Sequence, residues 1–94
     1  MSTKQKAVTF ALGQVMATPG ALKRYDAEQL SQQLLRHTAG DWGDLDAEDI
    51  AANNDALRHG SRLFSSYNMP DGEKLWIITE WDRSVTTLLL PGEY

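Results

Sequence analysis

The sequence predicts an α+β domain in which two to three N-terminal helices pack on a C-terminal antiparallel meander of three strands. Two observations predict this fold class. Apolar residues recur at helical spacing only in the first half of the chain, whereas the second half contains three short runs rich in β-branched and aromatic residues. The length fits a single domain over residues 1–94, with residues 1–60 mainly helical and residues 61–94 forming the sheet.

Cap residues and helical spacing predict the helices. Thr18 caps a short helix that starts at Pro19, and Asp26 caps a second helix. A third helix runs from its cap at Asp46 to Gly60, which is typical of a C-terminal cap. The residues predicted to face the core are Ala27, Leu30, Leu34 and Leu35 in the second helix, and Ala47, Ile50, Ala51, Asn54 and Leu57 in the third.

The strands are predicted from apolar runs that are separated by turn residues, and they lie at residues 62–67, 74–80 and 85–90. Alternation places Leu75, Ile77 and Thr79 on one face of the middle strand. We expect the helices to cover that face, so that Trp76 lies on the other face, partly exposed or covered by a partner. Residues 7–12 fit either a fourth strand or the start of a helix.

Composition excludes several kinds of site. The chain has no cysteine, which excludes disulfides, thiolate chemistry and cysteine-ligated zinc. Its two histidines, His37 and His59, fall at predicted helix C-termini, where we expect them to cap the helix or lie on the surface. The sequence contains no nucleophile elbow, phosphate-binding loop or paired histidine motif. It therefore predicts no catalytic residue, no metal site and no cofactor, and we expect a protein that is not an enzyme.

Charge and hydropathy limit the partners and the location. The formal net charge of −4 argues against direct binding of nucleic acid. No apolar stretch approaches the roughly 20 residues of a membrane span. The lysines near the N-terminus are not followed by the apolar segment of a signal peptide. We therefore expect a cytoplasmic protein that has no membrane partner.

An acidic window between Asp41 and Asp55 is the sharpest feature of the composition. It holds six of the thirteen acidic residues and no lysine or arginine: Asp41, Asp44, Asp46, Glu48, Asp49 and Asp55. Acids near a helix N-terminus complement its dipole, which is one interpretation. The other is a negative patch that binds a basic partner, with Asp41, Asp44, Glu48 and Asp55 as the candidate contacts. A calcium loop is disfavoured because its central glycine and distal glutamate are missing.

Two tryptophans and a predicted hairpin turn are further candidates for partner binding. Trp42 is flanked by Gly-Asp and Gly-Asp, and it either fills the space between helices and sheet or anchors a partner. Trp81, Asp82 and Arg83 lie at the turn after the middle strand. There Asp82 can satisfy the amides of its own turn, or Trp81 and Arg83 can form a contact point.

A combination of short motifs resembles a known family. It comprises Gly-Asp-Trp-Gly at residues 40–43, Trp-Ile-Ile-Thr-Glu at residues 76–80, Asp-Arg-Ser at residues 82–84, and Leu-Leu-Pro with Glu-Tyr at residues 89–94. Together they resemble a family of small bacterial accessory proteins carried on plasmids, phages and integrative elements. The resemblance implies an accessory role for a mobile genetic element. Trp81 departs from it because the family has a small residue there, so a role for Trp81 would be peculiar to this chain.

These observations lead to a hypothesis and two alternatives. We expect a non-enzymatic accessory protein that binds a host protein with a basic, nucleic-acid-binding surface through its acidic face. Such a protein would act as an anti-defence inhibitor, either anti-restriction or anti-CRISPR. One alternative is a small RelE-like ribonuclease toxin that uses Arg83 and Tyr94, which the net charge disfavours. The other is a regulatory module that forms a homodimer through an exposed sheet face.

Overall fold

The structure, a computed structural model, describes residues 10–94 and centres on a four-stranded sheet. The strands are β1 (Gln14–Ala17), β2 (Leu63–Asn68), β3 (Lys74–Thr79) and β4 (Val85–Leu89). The helices are α1 (Pro19–Arg24), α2 (Ala27–Thr38) and α3 (Ala47–His59), and a short 3₁₀ turn, Pro91–Glu93, follows β4. The order of the strands across the sheet is β1-β4-β3-β2.

The α+β class is confirmed, but the sheet is mixed rather than an antiparallel meander. Strands β2, β3 and β4 are antiparallel neighbours, with Leu63 opposite Thr79 and Trp76 opposite Leu89. Strand β1 pairs in parallel with β4 because the chain crosses over the sheet through the helices. The predicted N-terminal block of helices is therefore not matched. A strand comes first, three helices follow it, and the sheet draws residues from both halves of the chain.

The added strand lies just after the segment that the sequence left open. Residues 7–9 of that segment lie outside the described residues, and residues 10–12 form neither a strand nor a helix. Gly13 then lets the chain enter the sheet beside the hairpin that joins β3 to β4. Its φ is +65°, and a Cβ atom there would lie 2.2 Å from the Ser84 carbonyl oxygen. Only glycine fits this approach.

The predicted helix caps are confirmed. Thr18 accepts a hydrogen bond from the Ala21 amide, at 3.2 Å. Asp26 and Gln29 bond each other's backbone amides in a capping box. The Asp46 carboxylate accepts from the Asp49 amide at 2.8 Å, and α3 ends at Gly60. No helix within residues 10–94 has the length and the apolar character needed to cross a membrane.

The predicted faces of the middle strand are confirmed, because Leu75, Ile77 and Thr79 are buried beneath the helices and Trp76 is half-buried on the other side. We call these the inner and outer faces of the sheet. The predicted inner stripe of α3 is confirmed only at Leu57, which packs against the buried Ala56 and Leu63. Ala47, Ala51 and Asn54 are exposed, Ile50 is 37% exposed, and the buried residues of the helix are Asn53 and Ala56.

One polar residue fixes the position of α3 on the sheet. The Asn53 amide nitrogen donates to the Phe64 carbonyl at 2.7 Å, and its oxygen accepts from the Phe64 amide at 3.0 Å. These two bonds tie the helix to β2 through a buried side chain that the predicted apolar stripe did not include. In α2, Leu30 is buried and Leu34 half-buried as predicted, whereas Ala27 is exposed and Leu35 is 68% exposed although the spacing placed both inside.

Candidate functional site

The most polar part of the interior is a chain of hydrogen bonds centred on His37. The Nδ1 atom of His37 lies 2.6 Å from the Ser65 Oγ, and its Nε2 atom lies 2.9 Å from the Thr79 Oγ1. The Thr79 Oγ1 is 2.7 Å from the Thr86 Oγ1, which donates to the Leu12 carbonyl at 2.7 Å. The four side chains are all buried. The chain of bonds thus joins α2 to β2, β3, β4 and the segment before β1.

Only one direction satisfies every group in this chain. The Leu12 carbonyl can only accept, so Thr86 gives it its single hydroxyl proton. Thr79 must then donate to Thr86, and the Nε2–H of His37 must donate to Thr79. The Nδ1 atom of His37 is left as the acceptor for the Ser65 hydroxyl. The geometry therefore places a proton on Nε2, and Nδ1 is the acceptor in the neutral form of His37.

The surroundings of His37 keep it neutral. Burial lowers the pKa of His37 from 6.5 to about 4. The rings of Phe10 and Trp42 stand edge-on to the imidazole, with centroid distances of 5.5 and 5.6 Å. The expectation that His37 caps the helix or lies on the surface is therefore wrong. The sequence did contain a signal for this burial. Leu34 lies four residues after Leu30, and His37 lies three residues after Leu34, so all three share one face of α2.

The acidic window is partly neutralised within the chain. Three of its acids form ion pairs: Asp41 with Arg36, Asp44 with Lys74, and Asp55 with Arg58, at N–O distances of 2.8, 2.8 and 3.0 Å. Hydrogen bonds from Arg36 and Lys74 hold the pKa values of Asp41 and Asp44 below their usual range. Asp46 caps α3. The two remaining acids of the window, Glu48 and Asp49, are exposed and form no ion pair with any residue from 10 to 94.

Trp42 is a core residue, and the interpretation of it as a surface anchor is wrong. It is buried in a cluster with Ala56 and Leu63, against which Phe10 and Leu57 also pack. The main chain around Trp42 also covers the edge of β2. Its carbonyl accepts from the Ser66 amide at 3.0 Å. The glycine after it is required, because a Cβ atom at Gly43 would lie 2.2 Å from the Ser66 carbonyl oxygen.

At the hairpin turn, Asp82 and Arg83 have structural roles. The Asp82 carboxylate accepts from the amide and the hydroxyl of Ser84, at 3.1 and 2.6 Å, which confirms the turn interpretation. The Arg83 guanidinium donates to four carbonyls, those of Ser61, Ala56, Glu80 and Trp81, at 2.6 to 3.2 Å. It thereby ties the turn to the end of α3, so the guanidinium of Arg83 is engaged within the chain. Trp81 is 67% exposed.

Aromatic rings cluster on the outer face of the sheet. Phe64 and Tyr94 both stand edge-on to Trp76, with centroid distances of 5.1 and 6.0 Å. Arg62 donates to the Tyr94 hydroxyl at 2.6 Å, and its guanidinium lies 5.9 Å from the Phe64 ring centroid. We call Arg62, Phe64, Trp76 and Tyr94 the outer-face cluster. Tyr94 is 72% exposed, and Phe64 and Trp76 are half-buried.

Glu93 holds Tyr94 in position within this cluster. The Glu93 carboxylate accepts hydrogen bonds from the Leu90 amide at 2.9 Å, the Gly20 amide at 3.0 Å and the Thr18 hydroxyl. These bonds hold the 3₁₀ turn against the start of α1, and the next residue, Tyr94, reaches Trp76. The sequence singled out Trp76 but missed its three companions. Alternation gave a signal for two of them, because Arg62 and Phe64 share a face of the strand predicted over residues 62–67.

The sequence-predicted contacts do not form one site. Trp76 lies on the outer face, the ion-paired acids surround the start of α3, and Trp81 stands at the hairpin turn. No group of three histidine or acidic side chains within residues 10–94 has a geometry that could hold a metal ion. Comparison with family models, with curated proteins and with solved structures finds no match to this chain.

Proposed function

We propose that this chain is a non-enzymatic protein-binding module that contacts a host protein through the outer-face cluster. The observation that carries the proposal is the composition of that cluster. It combines Trp, Tyr, Phe and Arg on the sheet face opposite the helices. Tryptophan, tyrosine and arginine are the residues most enriched at the energetic centres of protein interfaces. Their mutual contacts hold them in place before binding, which lowers the entropy cost of association.

The side chains that could take part in catalysis form structural hydrogen bonds within the chain, which favours a binding role over catalysis. His37 and Ser65 lie within hydrogen-bond distance, but both are buried and their protons are committed to structural bonds. A nucleophile that does not reach solvent has no access to a substrate. Arg83, on which the ribonuclease alternative depends, uses its guanidinium to bind four carbonyls.

The biological setting of the proposal rests on the sequence resemblance. It favours an accessory role for a mobile genetic element, in which the host protein belongs to a defence system such as restriction or CRISPR. The exposed Glu48 and Asp49 offer a negative surface for a basic, nucleic-acid-binding partner. The ion pairs of Asp44 and Asp55 must be broken before those acids can contribute, so their share of any binding is smaller.

The test is capture of host proteins from a lysate by the wild-type chain and by surface variants. Arg62→Glu and Tyr94→Ser should each abolish retention of the specific partner, while their melting temperatures stay close to that of the wild type. The matched control is Ile50→Ser, which removes an exposed apolar side chain from the helical side. If only the double variant Glu48→Lys, Asp49→Lys fails to retain the partner, the contact lies on the acidic surface instead. Equal retention by all variants would refute the outer-face cluster as the contact.

A further inference from the structure

The two edges of the sheet differ in how they are covered. At the β2 edge, the Ser66 amide donates to the Trp42 carbonyl at 3.0 Å, and the Asp44 amide donates to the Ser66 carbonyl at 2.6 Å. The residues around Gly43 therefore act as a cover for that strand. At the other edge, nothing within residues 10–94 pairs with the outward side of β1.

The open groups on β1 can be identified from its pairing with β4. The Gln14 amide donates to the Ser84 carbonyl at 2.9 Å, and the Thr18 amide donates to the Leu88 carbonyl at 3.0 Å. In a parallel ladder every second residue bonds to the same neighbour. Val15 and Ala17 therefore direct their amides and carbonyls away from β4. A segment with extended backbone is the kind of occupant that can pair with these open groups.

Apart from its short length of four residues, this edge lacks the usual protection against pairing. Natural edge strands carry charges, prolines or bulges that prevent association with other strands. Here no charged residue occurs from Phe10 to Leu22, and β1 pairs with β4 in a regular register. Met16 is 49% exposed, and Val15 and Leu22 are exposed as well.

An apolar groove runs along the same edge and sets the chemistry of the side chains that would fill it. It has a volume of about 370 Å³ and lies between β1 and the first two helices. Its lining includes Val15, Ala17, Leu22, Ala27, Leu30 and Leu34. Ser31 also lines it, and Leu35, 68% exposed, continues the same stripe of α2 one turn further. The occupant therefore presents apolar side chains beside its extended backbone.

We propose that the occupant is a second copy of this chain, whose β1 pairs antiparallel with β1 across a two-fold axis. Residues with outward backbone groups must face each other in such a ladder, so Val15 pairs with the partner's Ala17 and Ala17 with the partner's Val15. This register forms four main-chain hydrogen bonds and places Met16 on the axis, opposite the partner's Met16. The two sheets become one sheet of eight strands, with all helices on one side.

The lack of charge on the strand permits a second copy at this edge. Each chain carries a net charge of −4, so two copies repel each other at long range. The strand and the helix stripe of Ala27, Ser31 and Leu35 carry no charge, so two copies can meet there without like charges in contact, and the one acid that lines the groove, Asp26, caps α2. An isologous contact also requires a self-complementary surface, and an uncharged strand edge with apolar side chains meets that requirement.

Sedimentation equilibrium of the full chain over a wide concentration range tests this proposal. The wild type should approach twice its 10.5 kDa mass. Met16→Lys should sediment as a monomer, because two ammonium groups would meet on the axis with Cβ atoms about 5 Å apart. Ile50→Lys is the matched control and should remain a dimer. Mixing Met16→Lys with Met16→Glu should restore the dimer mass, since opposite charges then face each other.

Three outcomes would overturn the proposal. One is a wild type that stays monomeric at all concentrations. Hydrogen exchange would then show whether the Val15 and Ala17 amides are protected, which would assign the edge to residues 1–9 of the same chain. Another is a Met16→Lys variant that still dimerises, which would place the contact elsewhere. The third is a mixture of the two Met16 variants that stays monomeric, which would exclude β1 facing β1. The proposal is independent of the outer-face cluster, whose variants should leave the mass unchanged.

Discussion

The inner face of the sheet has two halves that are built from the same three strands but held by different forces. In one half lie Tyr67, Ile77 and Leu88, which pack against the first two helices. Two residues away on each strand lie Ser65, Thr79 and Thr86, which form the hydrogen-bonded chain with His37. We call them the apolar half and the polar half.

The difference teaches how a small domain fixes the position of its helices. Apolar contacts lack direction, so the apolar half tolerates small shifts of its neighbours. The polar half does not, because each donor there has one acceptor and a lost partner leaves a buried polar group unpaired. Within residues 10–94 every buried side-chain nitrogen and oxygen has a hydrogen-bond partner. The polar half therefore specifies the docking of α2, and the apolar half supplies most of the burial.

The largest expected effect concerns Trp42, whose ring seals the polar half. Trp42→Ala should lower the free energy of unfolding by about 3–5 kcal/mol, because it opens a cavity beside His37. Trp81→Ala, at the exposed hairpin turn, should change it by less than about 0.5 kcal/mol. Urea unfolding of both variants measures the contrast. Equal stability of the two variants would contradict the buried position of Trp42.

Acid should destabilise the polar half in particular. The pKa of His37 is about 4 in the folded chain and 6.5 in the unfolded chain, so only the unfolded chain gains this proton between those values. Stability is then fully present above pH 6.5 and falls as the pH drops towards 4, by about 3 kcal/mol for this one group. The measurement is the urea midpoint from pH 7.5 to pH 4.5. In His37→Gln this slope should largely disappear, and an unchanged slope in that variant would assign it to other groups.

Replacing one hydroxyl of the polar half by a methyl group should lower the free energy of unfolding, although the side chain keeps its size. Thr86→Val keeps the shape but leaves the Leu12 carbonyl and the Thr79 hydroxyl without their partner, so we expect a loss of about 1–3 kcal/mol. In the apolar half, Ile77→Val removes one methylene group and should cost about 0.5–1.5 kcal/mol. Thr87→Val, on the outer face, is the control and should be nearly neutral. Thermal melting of the three variants would contradict the comparison if Thr86→Val resembled Thr87→Val.

The same two halves explain how far the sequence could predict the structure. The alternation of Leu75, Ile77 and Thr79 and the caps at Asp26 and Asp46 were predicted, because each depends on local chemistry. The polar half was not, since nothing local shows that residues separated by 28 to 42 positions will share hydrogen bonds. The inward turn of Asn53 has the same origin. The parallel strand β1 was missed because it is four residues long and carries no alternation.

The residues of the candidate site show the same difference between local signals and long-range contacts. Trp76 was predicted on the outer face from alternation alone. Tyr94 and Arg83 took their positions through long-range bonds, from Arg62 to Tyr94 and from Arg83 to the end of α3. The ion pairs of Asp41 and Asp44 with Arg36 and Lys74 were also invisible, because both basic residues lie outside the acidic window.

The smallest expected effect concerns the exposed acids, because water screens their charges. Asp55 and Arg58 are both well exposed, and pairs of this kind contribute about 0.3–0.5 kcal/mol. Asp55→Lys should therefore lower the free energy of unfolding by less than about 0.5 kcal/mol. Glu48→Lys, in the first turn of α3, opposes the helix dipole and should cost about 0.3–1 kcal/mol at low salt.

Urea unfolding at low and high salt distinguishes the two interpretations of the acidic window. If the acids only complement the dipole, the Glu48→Lys loss shrinks in salt and Asp55→Lys leaves partner capture intact. Weaker capture by a folded Asp55→Lys chain, reproduced by salt in the wild type, would instead make the acidic face a contact surface.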